Sequence, residues 1–248
     1  MMQLAHLNNL QKTISQQPGD KTEDLLPYAL ISLGFVSIIF AALPELDLIT
    51  SRFFWDAANG FEFESNYALI ALRDANRFMP WLVIGTAAAV LTAIMVTEQA
   101  RRLASPHKLL FVITFFAVGP GLCVQGIKAL VGRARPKVLE EFGGSAIFTP
   151  PWDISDQCMR NCSFISGEAA SAFALLTLVI FIKPRYAKFY LSIVGLMAAC
   201  ISLNRVAFGA HFLSDVVIAW NVMWVVAVLL WRVFSRHAGM IDAVFYRR

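Results

Sequence analysis

The sequence predicts an all-α fold, an integral membrane bundle of six transmembrane helices with a partly structured external loop, and three observations carry the prediction. Mean hydropathy is +0.61, with 58% hydrophobic residues and 15% charged, whereas soluble domains run nearer a quarter charged. Apolar runs recur at about 27–43, 79–97, 108–127, 167–183, 187–204 and 214–235, each near the roughly 17–25 residues a spanning helix needs. The polar residues between these runs gather into a few tight clusters instead of spreading over a solvated surface.

Taken in order, residues 1–26 are polar and lack the apolar stretch of a signal peptide, so they are expected to form a cytoplasmic segment. Residues 27–248 then make one six-span domain, which returns both termini to the same side. Arg101, Arg102, Lys108, Lys183, Arg185 and Lys188 would lie in the inner loops, and several basic residues on the outer side belong to the polar clusters, which favours a cytoplasmic N-terminus. Two external segments are long. Residues 44–78 mix acids with Phe53, Phe54 and Trp55, which suits a short interfacial helix and a loop on the lipid headgroups. Residues 129–166 join two of the polar clusters, and loops of that length are usually functional. Gly119-Pro120-Gly121 predicts a kink in the third span.

Three clusters hold the chemistry. Lys128 and Arg135, with Arg133 between them, are spaced so that on a helix the outer two fall about 20° from a common face, and both would reach one anion; Pro136 would then close the helix. For Lys128 or Arg133 alone, snorkelling from a helix end explains the charge equally well. Ser166-Gly167-Glu168 opens the fourth span, where Ser166 caps the helix, its first-turn N–H groups face an anion and Gly167 allows close approach. Ordinary helix-start chemistry gives the same pattern. His211 and Asp215, four apart, would share a helical face, with the carboxylate orienting the imidazole, and Arg205 adds a fork for two phosphate oxygens. The topology brings all three clusters to one external face. Basic groups, a helix N-terminus, a histidine with its carboxylate and a second carboxylate suit a phosphoryl group.

Over about residues 105–235 these motifs resemble the type 2 phosphatidic acid phosphatase superfamily. Its first part, Lys, six residues, Arg-Pro, is met by Lys128 to Pro136; its third part is met by Arg205, His211 and Asp215, with Asn204 in place of serine; its middle part departs, with Glu168 where the family has histidine. The resemblance implies that His211 attacks phosphorus to form a phosphohistidine, that Asp215 fixes its tautomer, and that Lys128, Arg135, Ser166, Gly167 and Arg205 cradle the phosphate. It implies no metal and no cofactor, and a phosphorylated lipid substrate of lipid A, undecaprenyl diphosphate or phosphatidic acid type. Glu168 would replace the histidine as the acid. A weaker likeness to bacterial members covers Pro44-Glu45-Leu46-Asp47-Leu48.

Cys158 and Cys162 form either a disulfide that fixes the external loop or two unpaired thiols. Cys123 and Cys200 read as small apolar residues, and His6, His107 and His237 fall away from the clusters. With no basic tract, a nucleic-acid partner is not expected; membrane lipids are. A transporter would carry its charges along a span, and these sit at one end. A lipid phosphotransferase would share the phosphohistidine, as would a lipid-binding relative the fold. The oligomeric state is not indicated.

Overall fold

The computed structural model describes residues 25–246. His6 and almost all of the segment expected to be cytoplasmic lie outside the described residues, as do Arg247 and Arg248. The described residues are predominantly helical, with two isolated bridges and no strand. Five helices are long and apolar enough to cross a membrane.

Helix α1 (Leu25–Ala42) turns Ile31, Phe35 and Ile38 outward and packs its other side on α8 (Leu213–Arg236). Inside that contact the Ser32 hydroxyl donates to Asn221 Oδ1 at 2.6 Å. Within lipid, apolar surface alone does not drive helices together, so close packing and such polar contacts select the partner. Helix α2 (Glu45–Phe53) is short and amphipathic: Ile49 and Phe53 face outward, while Asp47, Leu48 and Ser51 are buried. Helix α3 (Tyr67–Val96) begins well before the apolar run at 79. The Asn66 side chain caps it by accepting from the backbone N–H of Ala68 and Leu69. Hydropathy marked only its apolar part, because helical hydrogen bonding continues through the polar residues that precede it. The expected outer loop 44–78 is therefore shorter, and Arg73 and Arg77 are helical.

The third apolar run is interrupted. Helix α4 (Pro106–Phe116) passes into a π-helical stretch over Ala117–Cys123 and then α5 (Val124–Val131). Pro120 has no N–H to donate to the preceding turn, and the wider register accommodates the gap. The chain leaves α5 at Gly132, which is left-handed (φ 63°) and lies against the Ser155 carbonyl. Arg135 is extended and Pro136 starts a 3-10 turn. The expectation that Lys128 and Arg135 share a helical face is therefore wrong, and Gly132, not Pro136, ends the helix.

The fourth run makes only α6 (Gly167–Ala174) followed by a 3-10 stretch over Leu175–Phe181, too short to count among the five long helices. Helix α7 (Pro184–Ala207) and α8 match the last two runs. A final helix, α9 (Ala238–Tyr246), is tied back to α4 by Asp242, which accepts from the backbone N–H of His107 and lies 2.9 Å from its Nδ1.

The main core forms where α4, α6 and α8 meet, with Phe111, Phe115, Phe164, Ile218 and Met223 at its centre. A smaller cluster of Leu48, Phe61, Leu139, Phe142 and Phe212 binds α2 and the loops to the head of α8. In this smaller cluster, built from short-helix and loop residues, burial of each such side chain stabilises by about 1.5–3 kcal/mol. This second cluster anchors the loop between α7 and α8. Gly209 in that loop is left-handed (φ 56°), and the Phe61 ring occupies the space a Cβ would need.

Candidate active site

His211 does not lie on a helix. It sits in the α7–α8 loop just before α8, whose N-cap is Phe212 and whose third residue is Asp215. The expected shared helical face is replaced by a capping arrangement: Asp215 Oδ2 accepts from the Phe212 backbone N–H at 2.8 Å, which turns the carboxylate back toward the residue preceding the helix. His211 Nδ1 stands 3.5 Å from that same Oδ2. The imidazole is fully buried, and neither ring nitrogen has a hydrogen-bond partner among the described residues.

Behind Asp215 is a closed polar network. Arg133 Nη1 donates to Asp215 Oδ1 at 2.7 Å and Arg133 Nη2 to Asp47 Oδ2 at 2.8 Å. Its Nε donates to the Thr149 carbonyl at 2.7 Å, and its guanidinium lies 4.1 Å over the Phe212 ring. Ser163 Oγ donates to Asp215 Oδ2, and the Ser214 N–H and hydroxyl donate to Asp47. Arg133, Asp47, Asp215, Ser163 and Ser214 are all fully buried. Arg133 is thus no snorkelling end charge. Burial is the largest influence on Asp47 and raises its pKa above the ordinary carboxylate value, against the Arg133 cation, which lowers it.

In front of the ring the picture differs. Glu168, in the first turn of α6, places Oε2 3.5 Å from His211 Nε2. Its Oε1 accepts from Arg77 Nη2 at 2.8 Å and Nε at 3.2 Å, and lies 3.6 Å from Arg205 Nη2. The Asn76 amide holds the Glu168 carbonyl at 3.0 Å. Arg205 is 3% exposed at its side chain, yet its Nε and Nη1 have no acceptor among the described residues. Buried guanidinium donors without acceptors are rare, and an anion supplies what they lack.

The remaining predicted residues line the flank. Ser166 caps α6 by accepting from the Ala169 N–H at 3.3 Å, while its own N–H donates to the Asp215 carbonyl at 3.0 Å, so the helix start that carries Gly167 is fastened to the head of α8. Lys128 Nζ donates to the carbonyls of Cys162 and Ser163. Arg135 grips Asn161 through its carbonyl (3.1 Å) and side-chain oxygen (2.9 Å). Cys158 and Cys162 are joined by a disulfide that closes the same loop. The structure therefore gathers His211, Asp215, Glu168 and Arg205 into direct proximity, and engages Lys128 and Arg135 with the disulfide loop. No three His, Cys, Asp or Glu side chains among the described residues form a group able to hold a metal ion.

Asp47, Arg77, Asn76 and Ser163 escaped the sequence reading. Arg77 and Asn76 were hidden because residues before 79 read as loop; Asp47 appeared only within the stretch 44–48 that resembles bacterial family members, with no role attached to it.

A family model described as the PAP2 superfamily matches residues 107–238. A lipid A 4'-phosphatase of Francisella tularensis subsp. novicida (strain U112) is 30% identical over 82% of this chain and 94% of its own length. Proteins of the same name from Rhizobium leguminosarum and Rhizobium etli are 32% and 31% identical, each over 73% of this chain, and are covered over 84% and 76% of their lengths. No solved structure matches.

Proposed function

This chain belongs to the PAP2 superfamily and is a phosphatase; from that premise we propose that it removes phosphate from a lipid A-type phosphoglycolipid through a phosphohistidine on His211. The observation that carries this reading is His211 Nε2 beside the Glu168 carboxylate and the incompletely bonded Arg205. Glu168 Oε2 lies at the distance from Nε2 at which an oxygen of the substrate phosphate would stand. The substrate class rests on the relatives' name.

In the first step Nε2 attacks phosphorus, the bond from phosphorus to the lipid oxygen breaks, and that oxygen takes a proton from Glu168. Asp215 holds the Nδ1 proton and stabilises the charge that grows on the ring. Arg205, Lys128, Arg135 and the N–H groups at Ser166 and Gly167 meet the negative charge spreading over the other phosphate oxygens. A sugar alcohol leaves as an alkoxide and needs that proton; a diphosphate needs it far less. A phosphate dianion beside Glu168 makes two like charges share one pocket, which favours a proton between them. In the second step Glu168 takes a proton from water, the water oxygen bonds to phosphorus, the phosphorus–nitrogen bond breaks, and phosphate leaves.

The membrane placement follows the same reading. The α6 segment with its 3-10 continuation rises roughly 26 Å, because the 3-10 turns are stretched, and it reaches across as a sixth span. Lys108 Nζ donates to the Ile180 carbonyl at its far end. Both termini are then cytoplasmic and the site opens at the outer face of a bacterial inner membrane.

The test is release of inorganic phosphate, with mass analysis of the lipid, from lipid A, phosphatidic acid, phosphatidylglycerol phosphate and undecaprenyl diphosphate by purified protein in detergent. Release from lipid A that falls at least about 10³-fold in His211→Ala is expected. Lipid phosphate lost without free phosphate would replace hydrolysis with phosphotransfer, and undiminished release from folded His211→Ala would end the phosphohistidine reading.

A further inference from the structure

Asp215 is joined through Arg133 to a second carboxylate, Asp47, which comes from α2 and lies outside the residues 107–238 that carry the family match. A strut that only held Asp215 in place would need one arginine and one acid. Here a single guanidinium is shared between two carboxylates in a region with no exposed side-chain surface. Asp47 also takes both the N–H and the hydroxyl of Ser214, the residue next to Asp215, so it fixes the backbone from which Asp215 projects.

We propose that Asp47 is a positioning residue for the phosphatase reaction, acting through Arg133 to set the negative charge that Asp215 presents to His211. The inference rests on His211 being the nucleophile. The three groups sum to one negative charge. With Asp47 in place, the Arg133 cation is divided between two acids, and Asp215 keeps charge to offer the ring. Without it, Arg133 pairs with Asp215 alone and the ring loses that support. Burial makes the effect larger than it would be in water. The bond from Arg133 Nη1 to Oδ1 also sets the rotation of the Asp215 carboxyl, leaving Oδ2 toward Nδ1. The other charged groups around the ring are Glu168 from α6, Arg205 from α7 and Arg77 from α3, with Lys128 on α5 and Arg135 beyond it. None of them is altered in the test.

The experiment compares Asp47→Asn with wild type in pH profiles of lipid-phosphate hydrolysis, once loss of activity in His211→Ala has established the nucleophile. Expected are a kcat lower by about tenfold, a KM within about twofold, and an acid limb of kcat/KM about half a unit lower in pH, because a negative charge near a group that must shed a proton has been removed. Ser214→Ala removes contacts to Asp47 and Arg133 without changing charge, and its acid limb should stay at the wild-type pH. If Asp47→Asn does not yield folded protein, the double variant Asp47→Asn with Arg133→Gln is read instead. It keeps the net single negative charge and should keep the wild-type limb while kcat falls. An Asp47→Asn enzyme with wild-type kcat and limb, or a double variant whose limb moves, would overturn the role of Asp47 and leave the phosphatase reading untouched.

Discussion

The two sides of the His211 ring are built on opposite plans. Behind it, Asp215, Arg133 and Asp47 bond to one another and to Ser163, Ser214, Phe212 and Thr149 until their donors and acceptors are nearly all used. In front, two buried donors of Arg205 have no acceptor among the described residues, and the Glu168 carboxylate stands 3.5 Å or more from both His211 and Arg205. A finished network fixes geometry and leaves nothing to offer a ligand. An unfinished one costs stability, on the order of 1–3 kcal/mol per unmet buried group, until something binds. The contrast separates the part of the site that holds the histidine from the part that holds the phosphate.

Arg205 is the sharpest place to break the front. Arg205→Ala should lower kcat by about 10²–10³-fold, the range found when a charge-stabilising donor is removed from a transition state. Arg205→Lys should recover only part of that, because an ammonium cannot present two parallel donors. The same Ala change should raise thermal stability in detergent or leave it unchanged, since it deletes unmet donors. A large loss of stability would mean that Arg205 belongs to the structural side.

Glu168 comes next. Glu168→Gln should reduce kcat by about 10²-fold, at the lower end of what general acid–base catalysis contributes. The loss should be greatest for a sugar monophosphate and smaller for a diphosphate, whose leaving group needs less protonation. Glu168→His should restore much of the activity. Full activity of the Gln variant across pH would remove Glu168 from proton transfer and leave it only as the partner of Arg77.

The legibility of the two sides from sequence differed for a physical reason. Among the front residues His211, Glu168 and Arg205 were found, because charges at the ends of apolar runs are costly and stand out, whereas Arg77 and the uncharged Asn76 were not. The rear network was half seen: Arg133 was noticed, but its partner Asp47 lies 86 residues away and only tertiary structure pairs them. Hydropathy located the apolar runs well and missed three backbone events. Gly132 breaks the helix before Arg135, the α7–α8 loop releases His211 from helical geometry, and α3 extends past its apolar portion to Tyr67. Helical spacing was applied where the chain had already left the helix. The direct neighbours His211, Asp215 and Arg205 could still be grouped, because topology alone brings their chain ends together.

Arg77 offers the smallest effect and tests where the front stops. Its side chain is 51% exposed while that of Glu168 is 14% exposed, so the pair sits at the rim with one partner in water. An exposed ion pair contributes about 0.2–1 kcal/mol, which corresponds to a change of less than about fivefold in rate if all of it serves to orient Glu168. Arg77→Ala should therefore lower kcat by about two- to fivefold with little change in KM. Salt should shrink the difference between variant and wild type, because a pair at the rim is screened and the fully buried Arg133 pairs are not. Glu168→Gln combined with Arg77→Ala should be no worse than Glu168→Gln alone, since Arg77 then has no carboxylate to orient. A hundredfold loss in the single Arg77→Ala variant, or a further loss in the double, would move Arg77 from the rim into contact with the substrate phosphate and extend the unfinished side of the site onto α3.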